Sequence, residues 1–344
     1  TMRSPSDTDT ETDATEQRPL DWPAVTATTR PWTRWWWLGD AVADHDLERE
    51  LSRLDEAGIG GVEITPIYGV EGEEHHNLDF LSPAWLNRLE HTVEEATRRG
   101  MGVDAVPGTG WHFGGPEVEF EESAMKIDVE TTDIAGETLE TEFDPQRLQT
   151  VVAYADDGRS VELTDEVDGE GRLEWDPGEG SWTVVSITGR MGRDVKRATR
   201  DRQGPMVSPY YPAAMRRYLN RFDREFTDYD GPLLRATFHD SYEFDAHWSP
   251  VLLDAFEEQC GYRLQDHLPV LVDEGEDDET QPDDYAARVK ADCRRVLSEL
   301  YAETVTEWTR WNHRDGRQAR FQAHCAPGHI LDLYALADIP ETEY

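Results

Sequence analysis

The sequence predicts an α/β fold in which parallel strands alternate with helices, with an antiparallel β domain set into the middle. Three observations carry this. Apolar runs of strand length alternate with segments of helical period and meet at glycines, Gly58 and Gly100. Between residues 120 and about 190 that rhythm gives way to short alternating segments separated by Asp157-Gly158, Asp168-Gly169 and Pro177-Gly178, the signature of antiparallel turns. Third, Leu234-Arg-Ala-Thr-Phe-His-Asp-Ser-Tyr-Glu243 reads as a buried strand, Leu234 to Phe238, that runs straight into a polar cluster. At the C-terminal end of a strand in a parallel barrel, such a cluster is where catalytic groups collect.

In chain order, Thr33 to Leu38 (Thr-Arg-Trp-Trp-Trp-Leu) is a first strand between Pro31 and Gly39. Asp44 to Ala57 places Leu47, Leu51, Leu54 and Ala57 at helical spacing and stops at Gly58. Ile59 to Ile67 is a second strand with one charge, Glu63, inside an apolar run. Ser82-Pro83 opens a helix to Gly100, and Met101 to Pro107 is a third strand leading into Gly108-Thr-Gly-Trp-His-Phe-Gly-Gly-Pro116. After the antiparallel segment, Arg197 to Pro209 is a return loop and Pro212 to Phe226 a helix. The fourth parallel strand follows, then a helix from Ser249-Pro250 to Gly261. Asp273 to Asp284 is an acidic loop, Tyr285 to His313 a long helix, Gln318 to Ala323 a fifth strand, and His329 to Ala337 a helix. Asp338-Ile-Pro-Glu-Thr-Glu-Tyr344 begins a sixth strand, fewer than an eight-stranded barrel needs. The expected domains are an unstructured acidic segment (1–29), a first part of the barrel (30–118), the inserted β domain (119–195) and a second, truncated part (196–344).

The 344 residues carry a formal net charge of −40, spread along the whole chain, and only three lysines, Lys126, Lys196 and Lys290. That balance argues against nucleic acid or an anionic membrane as partner. Dispersed acid with little lysine is the surface of a salt-adapted protein, whose self-repulsion needs screening. The expected outcome is loss of secondary structure at low ionic strength; full activity and an unchanged circular dichroism spectrum in dilute buffer would contradict it. Cys260, Cys293 and Cys325 are odd in number and far apart, neither a disulfide framework nor a zinc site. Cys325 beside His324 reads as a small packing residue rather than a nucleophile. With no apolar run of spanning length and no signal-peptide pattern, the expected location is the cytoplasm.

Glu243 and Asp240 are the first candidates for chemistry, because paired carboxylates across a sugar serve as general acid and base or as acid and nucleophile. The glycine loop 108–116 follows a strand, but its spacing is wrong for a dinucleotide and acids take the place of the helix, which excludes a pyrophosphate. It either presents Trp111, His112 and Phe113 to a sugar face or is a turn filling its own core. In Trp35-Trp36-Trp37 the strand period sets Trp36 opposite its neighbours. Glu63, a charge in a buried strand, must pair, contact a ligand or sit at the mouth. His239 and His324, each near a strand end, are polar contacts or satisfied core histidines. No pair of histidines has metal-ligand spacing, although an oxygen-lined calcium site needs none.

Arg34-Trp-Trp-Trp, Gly58-Ile-Gly-Gly-Val-Glu63, the glycine loop, Val195-Lys-Arg-Ala198, Gly204-Pro-Met-Val207, Asp240-Ser-Tyr-Glu243, Cys260-Gly-Tyr-Arg-Leu264, Leu268-Pro269, Gln322 to Pro327 and Asp338-Ile-Pro-Glu-Thr-Glu343 occur here in one order. Jointly they resemble the glycoside hydrolase family 106 α-L-rhamnosidases. The resemblance implies a (β/α)8-type barrel with an inserted β domain, incomplete here at the C-terminus, and hydrolysis of terminal α-L-rhamnosides with inversion. It implies Glu243 as a catalytic carboxylate acting as base, Asp240 as its neighbour, and Glu341 as a second active-site acid with Glu343 as rival. A calcium ion near the sugar is also implied, its ligands unassigned. His324 and Cys325 stand where the family pattern has an aromatic residue and a glycine. Family members are also longer, so a further acid lies beyond this chain on that reading. A non-catalytic carbohydrate-binding remnant, or a hydrolase of another deoxysugar or a uronide, are the alternatives.

Overall fold

Strand β1 (Trp32–Leu38) alternates as its period requires. Trp37 is buried edge-on against Trp35 and Trp85, with ring centroids 6.2 and 6.0 Å away, while Arg34 and Trp36 point to the opposite face. The computed structural model describes residues 24–227, 229, 231, 234–272 and 285–343. Most of the N-terminal segment and the acidic loop 273–284 therefore lie outside the described residues; within the former, Ala27–Thr29 form a 3-10 turn.

Helix α1 (Asp44–Glu56) buries Leu47 and Leu51, and every residue of β2 (Gly61–Ile67) is buried. Helix α2 (Pro83–Arg98) starts as its sequence demands, with the Ser82 hydroxyl accepting from the Trp85 N–H at 3.3 Å and proline in the first turn. Strand β3 (Gly102–Ala105) follows. Next come β4 (Met125–Ala135), β5 (Leu139–Glu142), β6 (Leu148–Ala155), β7 (Ser160–Glu162), β8 (Arg172–Trp175) and β9 (Ser181–Met191). They form an antiparallel sheet in the order β4-β9-β6-β7 and a separate β5-β8 pair around a small core of Ile134, Val151, Leu173 and Trp182. Tyr154 fastens this module to the rest, its hydroxyl accepting from the Leu268 N–H at 3.3 Å and donating to the Gln265 carbonyl.

The parallel elements resume with α3 (Pro212–Glu225), β10 (Ala236–His239), α4 (Leu252–Cys260), α5 (Pro269–Val272), α6 (Tyr285–Arg314), β11 (Gln318–Gln322), α7 (Ile330–Tyr334) and β12 (Ile339–Glu341). The six strands β1-β2-β3-β10-β11-β12 form one all-parallel sheet in which chain order and spatial order coincide. The sixth strand expected from Asp338 onward is β12, paired through Gln322 and Glu341. Several bounds differ from expectation, β2 starting at Gly61 rather than Ile59 and β3 spanning Gly102–Ala105 rather than Met101 to Pro107. Helix α4 starts at Leu252 rather than Ser249, because the Ser249 hydroxyl donates to the Tyr210 carbonyl at 3.0 Å and ties the loop to α3's approach. Strand β10 begins two residues after Leu234, and α7 is shorter than His329 to Ala337. Among the described residues no helix is long and apolar enough to cross a membrane.

Asp40, just past β1, is fully buried and its carboxylate oxygens take no hydrogen bond of normal geometry. Burial pushes its pKa well above the ordinary carboxylate range, only partly offset by the nearby Trp85 indole. Below about pH 4 the folded and unfolded chains both carry this proton; above it the unfolded chain ionises first, so the folded state loses stability as pH rises toward the folded-state pKa. Asp40→Asn removes that cost. The expected outcome is a Tm higher by about 5 °C at neutral pH and unchanged near pH 4, read by thermal melts at fixed salt.

Candidate active site

The period of the parallel strands puts one set of polar side chains on a single face of the sheet: Arg34, Glu63 with Thr65, Asp104, Arg320 with Gln322, and Glu341. They form a continuous ion network. Glu63 Oε1 accepts from Arg34 Nε at 2.8 Å and from the Thr65 hydroxyl at 2.9 Å, and its Oε2 from Arg320 Nη1 at 2.7 Å. Arg320 also reaches Asp104 at 3.5 Å and Glu341, whose other oxygen accepts from Gln322 at 2.9 Å. Asp104 is held in turn by Arg235 at 2.8 Å. Phe238 lies between the guanidiniums of Arg34 and Arg320, 5.1 and 4.6 Å from its ring centre. This resolves the anomaly of Glu63. It is 1% exposed, and both its oxygens are paired within the network. Burial raises its pKa, while the two guanidiniums and the Thr65 hydroxyl pull the other way.

Above this layer β10 ends and the chain runs through Asp240 to Glu243. Asp240 faces Arg34 at 3.5 Å and accepts from the Ser241 N–H at 2.8 Å. Burial raises its pKa, opposed by Arg34 and reinforced by the charges of Glu243 and Glu343, so these three carboxylates share one field. Glu243 is part-exposed and ion-paired with Lys196. Its backbone N–H donates to His112 Nε2 at 3.2 Å, and the Tyr242 N–H donates to the His324 carbonyl at 2.9 Å. The loop bearing the carboxylates is therefore pinned at two successive amides.

The glycine loop has a plain steric purpose. Gly110 has φ +64, and a Cβ there would lie 2.0 Å from the Lys196 carbonyl oxygen; one on Gly114 would lie 2.3 Å from that of Pro205. The loop lies against the 195–207 return segment, with the Trp111 and Lys196 backbones exchanging hydrogen bonds of 3.0 and 2.8 Å. That contact is what brings Lys196 to Glu243.

The candidate residues thus divide. Asp240 feels the charges of Glu243 and Glu343, and Trp36, 50% exposed, stands on the same face of the sheet as Arg34. Glu341 belongs to the ion network. Trp111 is part-buried at the rim. Of the two alternatives open for His112 and His239, sugar contact or core, the structure has the second: they are 2% and 1% exposed and belong to the core. His112 stacks on Phe244 at 4.3 Å, and His239 is ringed by Phe113, Phe321 and Trp308. Burial holds both neutral, His239 down to about 4 and His112 well below its ordinary value. His324 is exposed and serves through its carbonyl. Cys325, expected to pack, is exposed at φ 58. Arg34, Lys196 and Arg320 had no assigned role; the one available signal was the scarcity of lysine. A cavity of about 410 Å³ between the sheet and α2, α3 and α6, lined by Phe80, Trp85, Phe222 and Trp311, contains none of the candidate carboxylates.

The alpha-L-rhamnosidase profile of glycoside hydrolase family 106 matches residues 23–144 and 138–322. The chain belongs to glycoside hydrolase family 106. This family 106 chain has the fold of the solved structure of a rhamnosidase from Novosphingobium sp. PP1Y, with a TM-score of 0.72 at 15% identity, covering 91% of this chain and 48% of that one. It is also 21% identical over 384 residues to a curated protein of Formosa agariphila named putative beta-glucuronidase, covering 94% of this chain and 32% of that protein. The chain spans about half the length of the former and a third of the latter.

Proposed function

We propose that this family 106 chain hydrolyses terminal α-L-rhamnosides with inversion, and that its six parallel strands are six of the eight of a (β/α)8 barrel. The observation that carries the reading is Glu243, a part-exposed carboxylate beyond the C-terminal end of β10, on the same loop as Asp240 and paired with Lys196. Inversion requires a carboxylate that removes a proton from water as the water attacks the anomeric carbon, and an acid that protonates the departing oxygen on the other face. Lys196 pairs with Glu243 and fixes where its carboxylate stands, and Glu243 is the group we assign as the base. Arg320 and Gln322 engage both oxygens of Glu341, which suits support of positive charge in the transition state more than proton donation. The donor is then drawn from Asp240, whose pKa burial raises, or Glu343.

Two measurements bear on this. Lys196→Met should lower kcat/KM for an aryl α-L-rhamnoside about tenfold, because Glu243 loses the ion pair that holds it in place; an unchanged kcat/KM would show that the pair has no part in the reaction. The glycone is tested with a panel of aryl glycosides in molar salt: α-L-rhamnoside, α-L-fucoside, β-D-glucuronide and β-D-galactoside. Turnover of the rhamnoside alone is expected; turnover of another member moves the assignment to that sugar, and none at all leaves a carbohydrate-binding domain.

Calcium is implied by the resemblance, with its ligands unassigned. Among the described residues the triplets of potential ligands within reach of one ion are Glu73, His75 and His76, and Glu48, His91 and Glu95. Neither contains a candidate carboxylate, and both include histidine where calcium takes oxygen.

A further inference from the structure

Arg197 follows Lys196, and its guanidinium reaches the loop after β2. Its Nη1 donates to the Tyr68 hydroxyl at 2.9 Å, and its guanidinium carbon lies 5.8 Å from the Tyr68 ring centre and 5.5 Å from that of Trp111. Its carbonyl accepts the Tyr68 N–H at 3.0 Å, and the residue sits at φ 59, so backbone and side chain are both tied to one place. The side chain is nonetheless exposed, as is Tyr68 at 44%. Among the described residues no carboxylate pairs with Arg197, although the chain has 73 acids against 33 lysines and arginines. Of the basic residues nearby, Lys196 pairs with Glu243 and Arg202 with Glu117.

An arginine fixed by two aromatic faces and using one of its N–H groups keeps the rest aimed for a bidentate anion. On an acidic surface that repels anions in general, such a group marks a place where a particular one is admitted. We infer that Arg197, with Tyr68 and Trp111, forms a subsite for a negatively charged leaving-group sugar, one bearing a carboxylate or a sulfate ester next to the bond on which Glu243 acts. This rests on the rhamnosidase reading, because a terminal 6-deoxysugar has no charge of its own and the anion must belong to the group that leaves. The aromatic rings supply the apolar face for that sugar, and Arg197 selects its charge.

The test compares a rhamnosyl-glucuronic acid disaccharide, its methyl ester, and a rhamnosyl-glucose carrying a 6-sulfate or none, at one salt concentration. Rhamnose release gives kcat/KM, and calorimetry gives binding of the same compounds. Wild-type protein should favour a charged member of a pair over its neutral partner by about tenfold. Arg197→Gln should bring that ratio close to one, and Arg197→Lys should keep part of it. A preference for the uronate or for the sulfate identifies the source of the anion, and either supports the subsite. A wild-type ratio of one for both pairs, or a ratio that survives in R197Q, overturns it. If no disaccharide is cleaved, the hydrolase reading fails, while the binding ratios still decide the subsite.

Discussion

Glu243→Gln is expected to lower kcat/KM for an aryl α-L-rhamnoside by about 10²- to 10⁴-fold, the range for removing one positioned acid–base group. The amide keeps the size of the carboxylate but cannot accept the proton of an attacking water. The loop should hold its place, because the contact that fixes residue 243 is its backbone N–H to His112, and the substitution leaves that untouched. Binding of the sugar should therefore persist while turnover is lost, the pattern of an interaction used only in the transition state. Calorimetry with rhamnose or an uncleaved rhamnoside, run beside the rate measurement, separates the two. Turnover at the wild-type rate would remove Glu243 from the reaction. Loss of binding together with turnover would make it a ligand for the sugar.

The second large effect is on stability. Arg320 is the hub of the inner-face network, touching Glu63, Asp104 and Glu341 with a side chain only 13% exposed. Arg320→Met fills similar space with no charge, leaving Glu63 with Arg34 alone and Asp104 with Arg235 alone. Breaking a buried ion pair on one side costs about 3–5 kcal/mol, since the remaining charge stays desolvated. For a chain of this size that is a fall in Tm of about 10 °C. The double variant Arg320→Met, Glu63→Gln should recover part of the loss, because the stranded carboxylate is gone. Thermal melts of the three proteins in the same molar salt check this, and an R320M protein that melts with the wild type would show that the network carries no stability.

The sequence pattern reached some of this site and missed the rest for identifiable reasons. Strand period alone set Trp36 on the face opposite Trp35 and Trp37, and the structure has Trp37 buried with Trp36 half-exposed. Glu63 was visible as a charge that needed a partner. The partners were not visible: Arg34 is 29 residues away and Arg320 is 257, and the side-by-side pairing of parallel strands is what joins them. Lys196 was hidden similarly, being brought to Glu243 by the close approach of Gly110 to the return loop. The histidines fail in the other direction. His112 and His239 lie beside strand ends where polar contacts gather, and nothing local distinguishes a ring that faces the site from one stacked beneath it. Ser249-Pro250 carried a helix-start signal, but a tertiary hydrogen bond to Tyr210 claimed the serine hydroxyl.

Proton NMR of an aryl α-L-rhamnoside mixed with this chain in molar salt reads the substrate, the activity and the stereochemistry together. The proposed inversion, with Glu243 as base, predicts release of rhamnose whose first-formed anomer is β, appearing before mutarotation brings in the α form. Rhamnose appearing first as the α anomer would contradict inversion and make the carboxylate a nucleophile. No release of rhamnose from a folded protein would contradict the hydrolase itself.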